Sequence, residues 1–96
     1  MDTAVRAVLL RDVVLTELYH VSGVLFGDLL FTVEQSLCRV TDSELRAELS
    51  FLEEWRLVKK YFVSVESDRY HLTKTGRRIA KRMLYPEATD RDGYRV

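Results

Sequence analysis

The chain has 96 residues, enough for one domain with a modest core, and a hydrophobic fraction of 47% with 10% aromatics belongs to an ordinary globular protein. One cysteine excludes an intrachain disulfide, and with only two histidines beside it a structural zinc site is not expected. No apolar run approaches the roughly 18–20 residues of a membrane span and no signal pattern opens the chain, so a cytoplasmic protein is expected.

The formal net charge is zero, but it is unevenly spread. Residues 1–58 carry five basic and ten acidic side chains, residues 59–85 carry eight basic against Glu66 and Asp68, and residues 86–96 carry two against three. Exposed charges are screened beyond about 8 Å at physiological salt, so the basic segment says more about polyanion binding than the neutral total does.

In chain order, Ala4 to Tyr19 reads as a first helix, with Asp2 and Thr3 available to start it. Val5, Val8, Leu9, Val13 and Leu18 form its expected inner face. Ala7, Leu10, Val14 and Leu15 add apolar surface on other sides, which points to burial on more than one side and to pairing with a second copy of the chain. His20 to Gly23 breaks the pattern. A second helix is expected from about Val24 to Cys38, or from Asp28 if Gly27 weakens its first turn, with Leu25, Leu29, Leu30, Val33 and Leu37 at helical spacing. Cys38 is read as a small core residue.

Thr41-Asp42-Ser43-Glu44 is a capping box ahead of a third helix that runs to about Trp55, with Leu45, Leu49 and Leu52 facing inward. Only Arg39 and Val40 separate it from the second helix, which implies a tight helical corner. Lys59 to Val65 then reads as a strand, in which Tyr61, Val63 and Val65 alternate with Lys60, Phe62 and Ser64. Glu66-Ser67-Asp68 is a turn and Arg69 to Leu72 a return strand. Thr73 caps a last helix through about Leu84, with Ile79, Ala80 and Met83 inward, and from Pro86 the tail is polar and frayed. One domain over residues 1–85 is expected, mainly α with a small β-hairpin, in the order α-α-α-β-β-α.

Three parts of the sequence carry a family likeness: Val40-Thr41 before the third helix, the run from Leu49 to Val58, and Tyr70-His71-Leu72-Thr73-Lys74-Thr75-Gly76. Together they resemble the "L-x-x-L-x-x-x-G-L-V … Y-x-L-T-x-x-G" pattern of the winged helix-turn-helix in the MarR and PadR groups of bacterial regulators. The resemblance spans roughly Val8 to Leu84. It departs at Arg56, where that pattern has glycine, so a less sharp helix end is expected there. A chain of this length also fits a prokaryotic or phage origin.

The resemblance implies a binding module whose third helix enters the major groove of double-stranded DNA while the hairpin touches the minor groove or phosphates. On a helix turning 100° per residue, Ser43, Ala47, Ser50 and Glu54 face outward, with Arg46 and Phe51 flanking them. Ser43, Ala47 and Ser50 are small enough for close approach to bases, and Arg46 can contact guanine or phosphate. Lys59, Lys60 and Arg69 bracket the wing, and Lys74 can reach the backbone from the start of the last helix. Lys60 and Arg69 are the foremost wing candidates.

Against this stand five acids on the third helix, of which Asp42 and Glu44 serve capping and Glu48 is expected beside Arg11 or Arg39. The basic stripe Arg77, Arg78, Lys81, Arg82 also reads as a wet helix face, or as a partner for a neighbouring subunit's acidic surface. Trp55, Tyr61 and Tyr70 are expected to pack the hairpin onto the core, and His20 and His71 to be structural. No nucleophile–base pair and no Gly-rich phosphate loop is present, so neither catalysis nor a cofactor is expected. The competing readings are a winged helix that docks a protein partner through the third helix and Phe51, and a ligand sensor with a pocket.

Overall fold

In a computed structural model, which describes residues 3–37, 39–64 and 67–86, the chain forms four helices and a small antiparallel sheet. The elements are α1 (Thr3–His20), β1 (Val24–Leu25), α2 (Phe26–Ser36), α3 (Asp42–Glu54), β2 (Val58–Ser64), β3 (Ser67–Leu72) and α4 (Lys74–Leu84). The sheet order is β1-β3-β2. Met1, Asp2, Cys38, Val65, Glu66 and residues 87–96 lie outside the described residues, as do the expectations that concern them.

The sheet corrects the expected hairpin: it has a third strand. Val24 and Leu25, expected to open a helix, instead pair with Tyr70 and Arg69. Gly23 sits at φ 75°, which turns the chain out of α1. Leu25 stays extended at φ −69°, ψ 150°, so α2 begins only at Phe26. Val24, β-branched, suits the ladder better than a helical first turn. Gly27 does not delay the helix to Asp28. It is exposed, where a glycine costs the helix propensity but leaves no packing defect.

The inner face of α1 is corrected in part: Leu18 is buried and Val13 packs against the core as expected, but Val5, Val8 and Leu9 do not. Leu10, Val14, Leu15 and Leu18 are fully covered, whereas Val5 at 50%, Val8 at 48% and Leu9 at 37% exposure look outward. Both faces of α1 are apolar, so periodicity leaves the choice to tertiary packing. The core joins the α1 set to Leu29 and Val33 of α2, to Leu45, Leu49 and Leu52 of α3, and to Val40, Val58, Tyr70 and Ala80. Each buried Leu or Val contributes about 1.5–3 kcal/mol of hydrophobic stabilisation before entropy is charged against it.

The capping signals are met at both later helices. Glu44 N–H donates to the Thr41 hydroxyl at 3.1 Å, and Gly76 N–H to the Thr73 hydroxyl at 3.0 Å. At its other end α3 stops sharply in spite of Arg56, contrary to the expectation. Arg56 N–H donates to the Glu53 carbonyl and Leu57 N–H to the Leu52 carbonyl, both at 2.9 Å, the pair of bonds of a Schellman motif. Arg56 accepts the left-handed conformation, φ 60°, that these bonds demand.

The joint between α3, β2 and α4 follows directly. Thr73 donates its hydroxyl to the Arg56 carbonyl at 2.6 Å and its N–H to the Leu57 carbonyl at 3.0 Å. Gly76 is buried, and within α4 Ala80 is fully covered and Ile79 half-buried, whereas Met83, expected inward, is 39% exposed. Near the chain end the core thins, and the flexible Met side chain tolerates the partial cover.

Candidate nucleic-acid interface

The α3 cap and core contacts decide what α3 presents to its surroundings. With Leu45, Leu49 and Leu52 committed to the core, Ser43, Arg46, Ala47 and Ser50 are all exposed, as is Glu54. Three of these side chains are too small to hold a large object away from the helix. Arg46 is not free-swinging: its guanidinium lies over the Phe26 ring, 3.9 Å from the centroid. That stacking holds the guanidinium against the first residue of α2 while leaving N–H groups at its edge.

The acids of α3 sort themselves by partner. Glu48 is buried to 7% exposure and takes an ion pair from Arg11, which settles between the two partners expected for it. Arg11 in turn covers the Phe51 ring, 4.3 Å from its centroid. Glu44 receives Arg6 through both carboxylate oxygens, and Arg6 also donates to the Arg39 carbonyl at 3.0 Å. Glu44's carboxyl is held below its ordinary value chiefly by the Arg6 hydrogen bond, with Arg6's charge and a bond from the Thr41 backbone adding to it and burial opposing. Asp42 and Glu54 remain exposed acids at the two ends of α3.

The hairpin places its cations on two faces. Cross-strand partners share a face, so Val58, Lys60 and Phe62 line up with Leu72, Tyr70 and Asp68. Lys59 and Tyr61 lie on the opposite face with His71 and Arg69. Lys60 and Arg69 are therefore not brought together. Lys59 and Lys60 are exposed, whereas Arg69 is half-buried, its stem against Gly23 and its guanidinium donating to the Gly23 carbonyl at 3.5 Å. Lys74, exposed, opens α4.

Only Tyr70 of the three expected aromatics packs the hairpin onto the core. It is 3% exposed, with its ring centroid 6.5 Å from that of Phe26, and burial before all else pushes its phenol above the ordinary value. Nearby Asp68 and Glu53 push the same way, and Arg46 opposes them. Tyr61 is 48% exposed and meets the His71 ring edge-on, while Trp55 is 65% exposed and leans on Phe51. The outer part of β2 runs past the core, so alternation there buries neither face: Phe62 at 74% and Val63 at 51% are open as well.

Two further features were not anticipated. Arg56 lines a cleft with Glu53, Val58, Lys59, Lys60 and Thr73, between the end of α3 and the root of the hairpin. A second groove between α1 and α2 is lined by Asp12, Val13, Thr16, Glu17, Thr32 and Ser36. An arginine where a helix stop calls for glycine was the available signal for the first, whereas the second joins residues too distant in sequence to be paired by pattern. His20 is exposed, with Nδ1 2.9 Å from the Thr16 carbonyl. Of the α4 cations, Arg77 is tied down, donating to the Tyr19 carbonyl at 3.3 Å, and Arg78 and Arg82 are exposed.

Among the described residues no group of three or more His, Cys, Asp or Glu side chains is placed to hold a metal ion, and no helix is long and apolar enough to cross a membrane. Compared with known proteins, the chain matches no family model and no curated sequence.

Proposed function

We propose that the chain is a winged helix-turn-helix that binds double-stranded DNA and works as a small homodimeric transcriptional regulator. In this reading α3 enters the major groove, and the β2–β3 hairpin is the wing. One observation carries it. Ser43, Ala47 and Ser50 are all exposed on α3, which leaves a shallow helix face flanked by Arg46, and a hairpin bearing exposed Lys59 and Lys60 follows directly. A slim helix face admits close approach to base edges, while the lysines supply phosphate contacts that carry no sequence information.

The roles separate by experiment. Lys60→Ala weakens binding to every duplex alike, because a lost phosphate contact is sequence-independent. Arg46→Ala relaxes preference at one base position, with about 1–3 kcal/mol of discrimination lost there. Equal losses on a selected site and on random DNA for both variants would remove base readout from Arg46.

A protein-docking winged helix is the alternative that a specific observation favours. Phe51 and Trp55, ring centroids 6.0 Å apart, leave an aromatic pair open beside exposed Glu54. Exposed aromatics of this kind anchor protein interfaces. A co-purifying protein together with no duplex binding at low salt would select that reading.

A further inference from the structure

Arg56 holds a conformation that costs it energy and that glycine would hold freely. At φ 60° an L-residue other than glycine is disfavoured, and the Schellman bonds at the end of α3 require the backbone shape but no side chain. The bonds that Arg56 makes among the described residues are made by its backbone, to Glu53 and from Thr73. Its side chain is exposed. Strain kept at a position where a smaller residue would relieve it points from the outlier toward a use for the side chain.

The surroundings say what that use is. Arg56, Lys59 and Lys60 line the same cleft, three cations against the single carboxylate of Glu53. A guanidinium offers a planar fork of N–H donors that matches two oxygens of a phosphate, and the ammonium groups add point charges without demanding geometry. A basic or wholly apolar ligand would find no matching surface there.

We propose that this cleft is a phosphate site in which Arg56, together with Lys59 and Lys60, holds one backbone phosphate of duplex DNA. The inference rests on the DNA-binding reading and adds to it a contact outside both the α3 face and the wing tip.

The test uses Arg56→Gly, which relieves the backbone strain and so keeps the fold. Its unfolding midpoint is expected to equal or exceed that of the wild type, while its affinity for a labelled random duplex falls about tenfold at low salt. The slope of log K against log salt should shrink by about 0.9, the signature of one lost phosphate contact. Arg56→Lys, which restores a cation, should recover most of the slope. Wild-type affinity and slope in Arg56→Gly would overturn the phosphate site while leaving the DNA reading intact. A wild-type chain that ignores duplex DNA overturns both. Inorganic phosphate that stabilises the wild type but not Arg56→Gly, with duplex binding equal in the two, would give the cleft to a free anion and overturn its role on DNA.

Discussion

Gly76 lies so close under the Leu57 backbone that a Cβ built on it would stand 1.9 Å from the carbonyl oxygen. Nothing flexible can yield there, because the obstacle is main chain and the same carbonyl accepts the Thr73 N–H. Gly76→Ala should therefore cost about 3 kcal/mol, read as a drop in the urea midpoint at unchanged slope. A cost within a few tenths of that of an exposed alanine would show that the joint is looser than described. Arg6 and Glu44 give a second local prediction. Since Glu44's carboxyl is depressed in the folded chain, its contribution is fully present above the ordinary value of 4.5 and is lost as pH falls below that value. Both side chains are partly exposed, so the pair contributes only about 0.2–1 kcal/mol. Arg6→Ala should remove that acid-side slope while leaving the unfolding midpoint above pH 6 within about the same margin. An unchanged slope between pH 5 and pH 3, in acid titrations followed by circular dichroism, would contradict the pairing.

What the sequence disclosed about each element depended on whether the signal was local. The Thr41 and Thr73 caps, the inward triad Leu45, Leu49 and Leu52, and the outward set Ser43, Ala47 and Ser50 all follow from spacing within one helix, and all are met. β1 could not be read, because two residues carry no period, and their strand state comes from pairing with Tyr70 and Arg69 more than forty positions away. The inner face of α1 is legible only in part, at Val13 and Leu18, for a related reason: when apolar residues surround a helix, only its neighbours decide which side is covered. The hairpin cations were found by type, but the two-residue alternation that separates Lys60 from Arg69 becomes visible only once the register is known. The misread α1 face has a use. Val5, Val8 and Leu9 leave an apolar strip uncovered along the start of α1, a surface that supports the proposed homodimer. Val8→Glu should shift sedimentation from dimer to monomer without lowering the helical signal. Unchanged sedimentation would move the dimer contact elsewhere or abolish it.

Taken together, the chain is electrically divided, with a net of −5 over residues 1–58 and +6 over residues 59–85. Within the acidic half Arg6 pairs with Glu44 and Arg11 with Glu48, pairs already counted in the net of −5. Lys59, Lys60 and Lys74 remain exposed, so the zero total understates the attraction that the hairpin side offers to a polyanion. Binding of this kind is driven by release of condensed counterions and must weaken steeply with salt. The most direct test of DNA binding is fluorescence anisotropy of a labelled random duplex titrated with the protein at about 50 and about 200 mM salt. Binding is expected at the lower salt and should fall roughly tenfold or more at the higher one, as several phosphate contacts require. No binding at the lower salt would contradict the DNA-binding reading.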